Sequence, residues 1–200
     1  MPNWCNNNIE IAGPTDTIKQ LWEDAQNADG GFGLLDAMYP MPKELDITAG
    51  SLGDEAEQAK LTELEKANEE KYGHKNWYDW RVANWGTKWD INEEGLEFID
   101  NGDGTAVITG WFDSAWAPPI GAYQNFDEMM DNCYITASYY EPGMDFAGFY
   151  ESEGGEEYLE DLYSQCKLPE TERDDLFRRL DEEFNIVENF EIYDEEEEDA

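Results

Sequence analysis

The sequence predicts an α+β domain made of two β-α-β units, and three observations carry that expectation. Short runs read as strands at 6–12, 96–99, 106–112, 133–140 and 145–150, and those at 96–99 and 106–112 alternate apolar and polar residues, the pattern of half-buried strands. Segments with helical spacing separate them at 16–27 and 120–130. Of the 200 residues, 40% are hydrophobic and 14% aromatic, enough to bury a core.

Residues 6–12 read as a short strand ended by Gly13-Pro14. Thr15 or Asp16 can cap the following helix, in which Ile18, Leu21, Trp22 and Ala25 share a face. Gly30-Gly31 stops it. Residues 32–38 then read as a second strand, completing the first β-α-β unit. A linker and a charged helix over 54–72 form an insertion near 43–75, with a thin apolar stripe suited to covering the domain. In the next stretch, Trp77 and Trp80 lie one helical turn apart, whereas Trp85-Gly86-Thr87 reads as a turn. Asn101-Gly102-Asp103-Gly104 joins two alternating runs, a strong hairpin signal. Pro118-Pro119 opens a helix over 120–130. The strand at 133–140 and its hairpin partner at 145–150 complete a second β-α-β unit. Two such units form the split pattern of a ferredoxin-like sandwich.

Beyond residue 153 the expectation is an acidic helical extension, with helices at 156–166 and 170–184 and an edge strand or loose segment at 186–193. Residues 194–200, a block of like charge, are expected to be a disordered tail. The expected organisation is a domain over 1–153, an extension over 154–193 and that tail.

Charge is the dominant compositional feature. Forty-nine Asp and Glu stand against 12 Lys and Arg, for a formal net charge of −37. Between Lys88 and Lys167 there are 18 carboxylates and no Lys or Arg. Such a chain repels phosphate backbones and anionic bilayers, which argues against direct nucleic-acid or membrane binding. No apolar run approaches the ~20 residues that span a bilayer. The start, MPNWCNN, lacks the basic and apolar regions of a signal peptide. Three widely spaced cysteines, Cys5, Cys133 and Cys166, suggest neither disulfides nor a zinc site and fit reduced thiols in a cytosol.

Several motifs occur together: Asn3-Trp4-Cys5-Asn6-Asn7, Pro40-Met41-Pro42, Trp85-Gly86-Thr87-Lys88-Trp89-Asp90, Trp116-Ala117-Pro118-Pro119, Tyr140-Glu141-Pro142-Gly143 and Phe146-Ala147-Gly148. In this combination the chain resembles the YubB-type proteins of phages, plasmids and genomic islands, over residues 1–153. That resemblance implies a ferredoxin-like fold and a mobile-element setting, but no reaction.

Two sets of residues are candidates for function. The first is Trp77, Trp80, Arg81, Asn84, Trp85, Lys88, Trp89 and Asp90, where aromatic walls and a few polar groups suit a ligand pocket or a protein anchor. The bland alternative is that these tryptophans staple the insertion to the sheet and that Lys88 pairs with Asp90 or a nearby acid. The second is an acidic surface of Glu151, Glu153, Glu156, Glu157, Glu160, Asp161, Asp174, Asp175, Asp181, Glu182, Glu183 and Glu188. Ordered carboxylates can imitate the charge line of duplex DNA and occupy a basic groove; solubility or salt tolerance is the simpler account. His74, the one histidine, fits a helix end. Asp100–Thr105 resembles a calcium loop but has Gly102 at the third position, and reads as a hairpin turn. No cofactor, metal or catalytic residue is assigned. The first expectation is a non-enzymatic mobile-element protein binding a basic host protein, such as a DNA-mimic inhibitor of host defence. The alternatives are an enzyme or small-ligand binder with its pocket at 77–90, and an accessory protein whose acidity serves only solubility or salt tolerance.

Overall fold

The structure is a computed structural model that describes residues 3–28 and 31–190. It is a mixed α+β arrangement around one six-stranded antiparallel sheet, ordered β2-β3-β1-β4-β5-β6. The strands are β1 (Trp4–Pro14), β2 (Leu96–Asp100), β3 (Thr105–Ala115), β4 (Tyr134–Glu141), β5 (Phe146–Glu151) and β6 (Gly155–Glu160). The helices are α1 (Thr15–Gln26), α2 (Leu34–Met38), α3 (Glu55–Tyr72), α4 (Trp77–Asn84), α5 (Ile120–Met129), α6 (Leu162–Cys166) and α7 (Asp175–Phe184). No helix among the described residues is long and apolar enough to cross a membrane.

Period-two alternation sorts the side chains onto two faces. Cys5, Asn7, Ile9 and Ile11 of β1 share a face with Ile108 and Phe112 of β3 and with Ile135 and Ala137 of β4. Ile18, Leu21 and Ala25 of α1, Leu34, Leu35 and Met38 of α2, and Tyr123 and Phe126 of α5 complete this main core. Asn6, Asn8 and Glu10 point to the other face, opposite Asp113, Trp111 and Thr109. A second, smaller core lies at the β4–β6 end of the sheet, where Tyr140 and Ala147 meet Leu162, Phe177, Leu180 and Ile186.

Three sequence expectations are corrected. Residues 32–38 are not a strand: α2 forms there because the Asp90 carboxylate accepts from the first helical N–H groups, and Leu34, Leu35 and Met38 bury one face. A short apolar run does not distinguish helix from strand. Residues 156–166 are not one helix. Gly154-Gly155 turns the chain, Gly155 at φ 78°, so that β6 pairs with β5 before the short α6 begins. Acidic side chains on this edge strand discourage pairing with other chains. Residues 186–190 are helical rather than extended; positions 191–193 and the acidic tail lie outside the described residues.

The insertion helix α3 buries only Leu61 and Asn68. Asn68 Nδ2 donates to the carbonyls of Glu44, at 2.9 Å, and Lys75, at 3.2 Å, tying the helix down at its C-terminal half. Asp54 caps its start and Gly73, at φ 76°, ends it.

The second core makes a prediction. Leu180→Ala removes a fully buried side chain from the cluster under α7, at a cost of about 2–3 kcal/mol. Limited proteolysis is expected to cut within 161–175 much faster, while the near-ultraviolet signal of the main core is retained. Loss of both together would mean that the two cores unfold as one unit.

Candidate functional site

The tryptophan-rich segment divides at Gly86. Asn76 caps α4 through Oδ1, which accepts from Tyr78 N at 3.0 Å and Asp79 N at 3.2 Å. That start directs Trp80 inward, where it stacks on Tyr39 with ring centroids 5.5 Å apart. Trp85 is fully buried, edge-on to Trp80 at 5.8 Å, and donates from Nε1 to the Tyr39 carbonyl at 2.9 Å. Trp77 is half-buried against the edge of Tyr78, at 5.7 Å. The Arg81 guanidinium lies over Trp85 at 4.7 Å and Trp77 at 5.5 Å, with Nε buried and without a hydrogen-bond partner among the described residues. Asn84 donates to the Trp80 carbonyl at 2.9 Å, and its own carbonyl accepts from Asn125 of α5 at 3.0 Å. Trp80 and Trp85 are thus bound into the core, with Arg81 and Asn84 held against them.

Asp90 takes a structural role. Oδ1 accepts from Leu35 N and Ile91 N, both at 2.9 Å, and Oδ2 from Asp36 N at 3.0 Å. Burial pushes its carboxyl above the ordinary 3.8, partly offset by those three donors. The expected Lys88–Asp90 pair is not formed, because Asp90 is turned onto α2. Arg81 and Asp90 line a cleft of about 690 Å³ with Asp36, Lys43 and Asp46, but Lys88 is not part of it.

Past Gly86, at φ 90°, Thr87 is still buried and Trp89 is the first residue to reach the surface. Lys88 Nζ sits 4.0 Å from the Trp89 ring centroid and 3.9 Å from that of Trp116. It makes no ion pair among the described residues. Trp89 continues to Trp4, 6.0 Å away. Trp4 shares a recess of about 240 Å³ with Trp111, Asn92, Glu94, Phe112 and Asp113. Four tryptophans of this continuous patch are well exposed: Trp4 46%, Trp89 40%, Trp111 54% and Trp116 46%. Trp116 holds φ at 70°, a region that bulky residues avoid, and its N–H donates to the Asn3 carbonyl at 3.0 Å.

The sequence expectation included Trp89 and Lys88 but missed Trp4, Trp111 and Trp116. A signal was present. In the run Ile108-Thr109-Gly110-Trp111-Phe112-Asp113, alternation puts Trp111 on the polar face with Thr109 and Asp113.

The twelve acidic candidates do not form one free face. Glu183 accepts from Asn8 and Ser138 on the sheet. Asp181 accepts from Val187 N at 2.8 Å and approaches Arg173 at 3.9 Å. Asp174 caps α7, and Asp175 pairs with Arg178. Asp161 accepts from Ser164 at 2.8 Å, Glu156 from Tyr139 at 2.6 Å and Glu151 from Tyr134 at 3.3 Å. Glu153, Glu157, Glu160, Glu182 and Glu188 remain, all exposed.

Other candidates fall to structural roles. Burial raises the Cys5 thiol well above its ordinary value and pushes Cys166 up to about 11, the opposite of an activated nucleophile. His74 Nε2 lies 3.5 Å from Asn84 Nδ2. Asp100–Thr105 is the β2–β3 turn, closed by Asn101 N donating to Thr105 O at 3.0 Å. Among the described residues no group of three or more His, Cys, Asp or Glu is placed to hold a metal.

No family model matches the chain, and no curated protein matches it. Among solved structures, it is similar to the crystal structure of protein api92 from Yersinia pseudotuberculosis, of the DUF1281 family, at 12% identity and a TM-score of 0.39. The match covers 80% of this chain and 98% of that one.

Proposed function

We propose that this chain is a ferredoxin-like, non-enzymatic mobile-element protein of the host cytosol that binds a basic surface of a host protein, as a DNA-mimic inhibitor of host defence does. The fold part of this reading is supported by the first four strands. Their order, β2-β3-β1-β4, with α1 following β1 and α5 joining β3 to β4, is that of a split β-α-β sandwich. Strands β5 and β6 extend it at one edge.

The observation that carries the binding part is the exposed tryptophan patch on a chain of net charge −37. Tryptophan is the residue most enriched among interface anchors, and a monomer gains nothing by leaving four in water. The charge selects the partner: it repels nucleic acid and attracts a basic protein surface, giving fast, salt-sensitive association. The exposed carboxylates of β6 and α7 supply that attraction, and the tryptophans supply the slow dissociation.

The test is capture from host lysate at ~0.1 M and ~0.5 M salt, a range over which screening shortens well below ~10 Å. The expected result is a DNA-binding protein retained at low salt only and displaced by duplex DNA. Glu157→Lys/Glu160→Lys/Glu182→Lys should abolish capture, whereas Glu63→Lys/Glu65→Lys/Glu69→Lys on α3 should leave most of it. Capture of nothing at either salt, or equal loss from both triple variants, would reduce the acidity to a solubility device.

A further inference from the structure

We infer that the recess between Trp4 and Trp111 receives a cationic side chain, an arginine or lysine, from the partner protein. The inference rests on the proposed binding of a basic surface and names the seat where one basic residue enters. The recess is about 240 Å³, walled by two exposed indoles, with the carboxylates of Glu94 and Asp113 at its rim. Asp113 Oδ1 accepts from Asn6 Nδ2 at 2.7 Å, which fixes the carboxylate on the sheet. Aromatic faces attract a cation through their quadrupole, and a carboxylate beside them adds directional hydrogen bonds.

The neighbouring indoles already demonstrate this chemistry. Lys88 is in contact with both Trp89 and Trp116, at 4.0 and 3.9 Å, on a surface rich in carboxylates to which it makes no ion pair among the described residues. The Trp4–Trp111 recess belongs to the same patch, because Trp4 lies 6.0 Å from Trp89. It repeats the aromatic walls and adds two carboxylates, and among the described residues its lining contains no Lys or Arg. The walls are held firmly. Trp111 N donates to Gly95 O at 3.0 Å, and its ring lies so close over Gly95 that a Cβ there would sit 2.7 Å from it.

The probe is acetyl-arginine amide, titrated into the full chain at low ionic strength while the indole N–H resonances are followed by NMR. The Trp4 and Trp111 signals are expected to shift together and saturably, with those of buried Trp80 and Trp85 unmoved. Glu94→Gln/Asp113→Asn, and separately Trp111→Ala, should each weaken binding about tenfold. Both changes lie on exposed side chains, so the dispersion of the remaining spectrum checks that the fold is intact. Uniform small shifts of every exposed indole, or shifts unchanged in both variants, would overturn the inference. If the probe fails to bind while lysate capture succeeds, the recess is not the seat and the basic-partner reading stands. If the probe binds and capture fails, the seat stands without that partner.

Discussion

Trp85→Ala is expected to cost about 4–5 kcal/mol of stability, the upper end for an aromatic truncation. The side chain is fully buried, packs edge-on against Trp80, supports the Arg81 guanidinium and donates to the Tyr39 carbonyl. Truncation leaves a cavity and also orphans that carbonyl, so transfer, cavity and hydrogen-bond losses act together. Urea unfolding checks it. Trp89→Ala, three residues from Gly86 on the exposed side, should shift stability by less than about 0.5 kcal/mol. The contrast tests whether the segment divides into a structural and a surface half. Similar costs at both positions would place Trp89 in the core after all.

The second large effect is expected at Asp90. Asp90→Ala strips the acceptor from Leu35 N and Asp36 N at the start of α2 and from Ile91 N. Unsatisfied buried donors cost roughly 1–3 kcal/mol each, so a loss of about 3 kcal/mol is expected. The pH dependence has a definite sign. Burial raises the folded carboxyl above 3.8, so the folded chain holds this proton at pH values where the unfolded chain has released it. The contribution of this group therefore falls as pH rises through the interval between the two pKa values, and is flat beyond it. The comparison is with Asp90→Asn, which cannot titrate: the stability difference, wild type minus variant, should decrease as pH rises above about 4. An increase would mean that the three N–H donors outweigh burial and hold the carboxyl low.

Local signals settled much of the fold. Asn101-Gly102-Asp103-Gly104 specifies the β2–β3 hairpin because glycine takes the positive φ of Gly102 and Gly104, 75° and 94°, without a Cβ penalty. The helical face of Ile18, Leu21 and Ala25 and the alternation of residues 106–112 needed no distant partner to be legible. Where the sequence misled, the deciding group was far away or contrary to a local count. Residues 34–38 became a helix through a carboxylate 55 positions on, at Asp90. Residues 156–166 read as one helix, yet backbone pairing with β5 makes 155–160 a strand, a contact between two chain segments that no local count reports.

The same division holds for the candidate site. Composition alone determined the sign of the charge, and the proposal of a basic partner starts from it, because Coulomb steering depends on net charge before it depends on geometry. Composition also supplied eight tryptophans, without saying which would be buried. Tertiary structure decided that. It turned Trp80 and Trp85 inward through the Asn76 cap, sent Asp90 to α2 instead of Lys88, and left Lys88 on two indoles contributed by segments 27 positions apart. It joined Trp4 from the first strand and Trp111 from the third at one recess. Such a patch depends on strand register between distant residues, and register is set by which face each strand buries, a property of the assembled sheet.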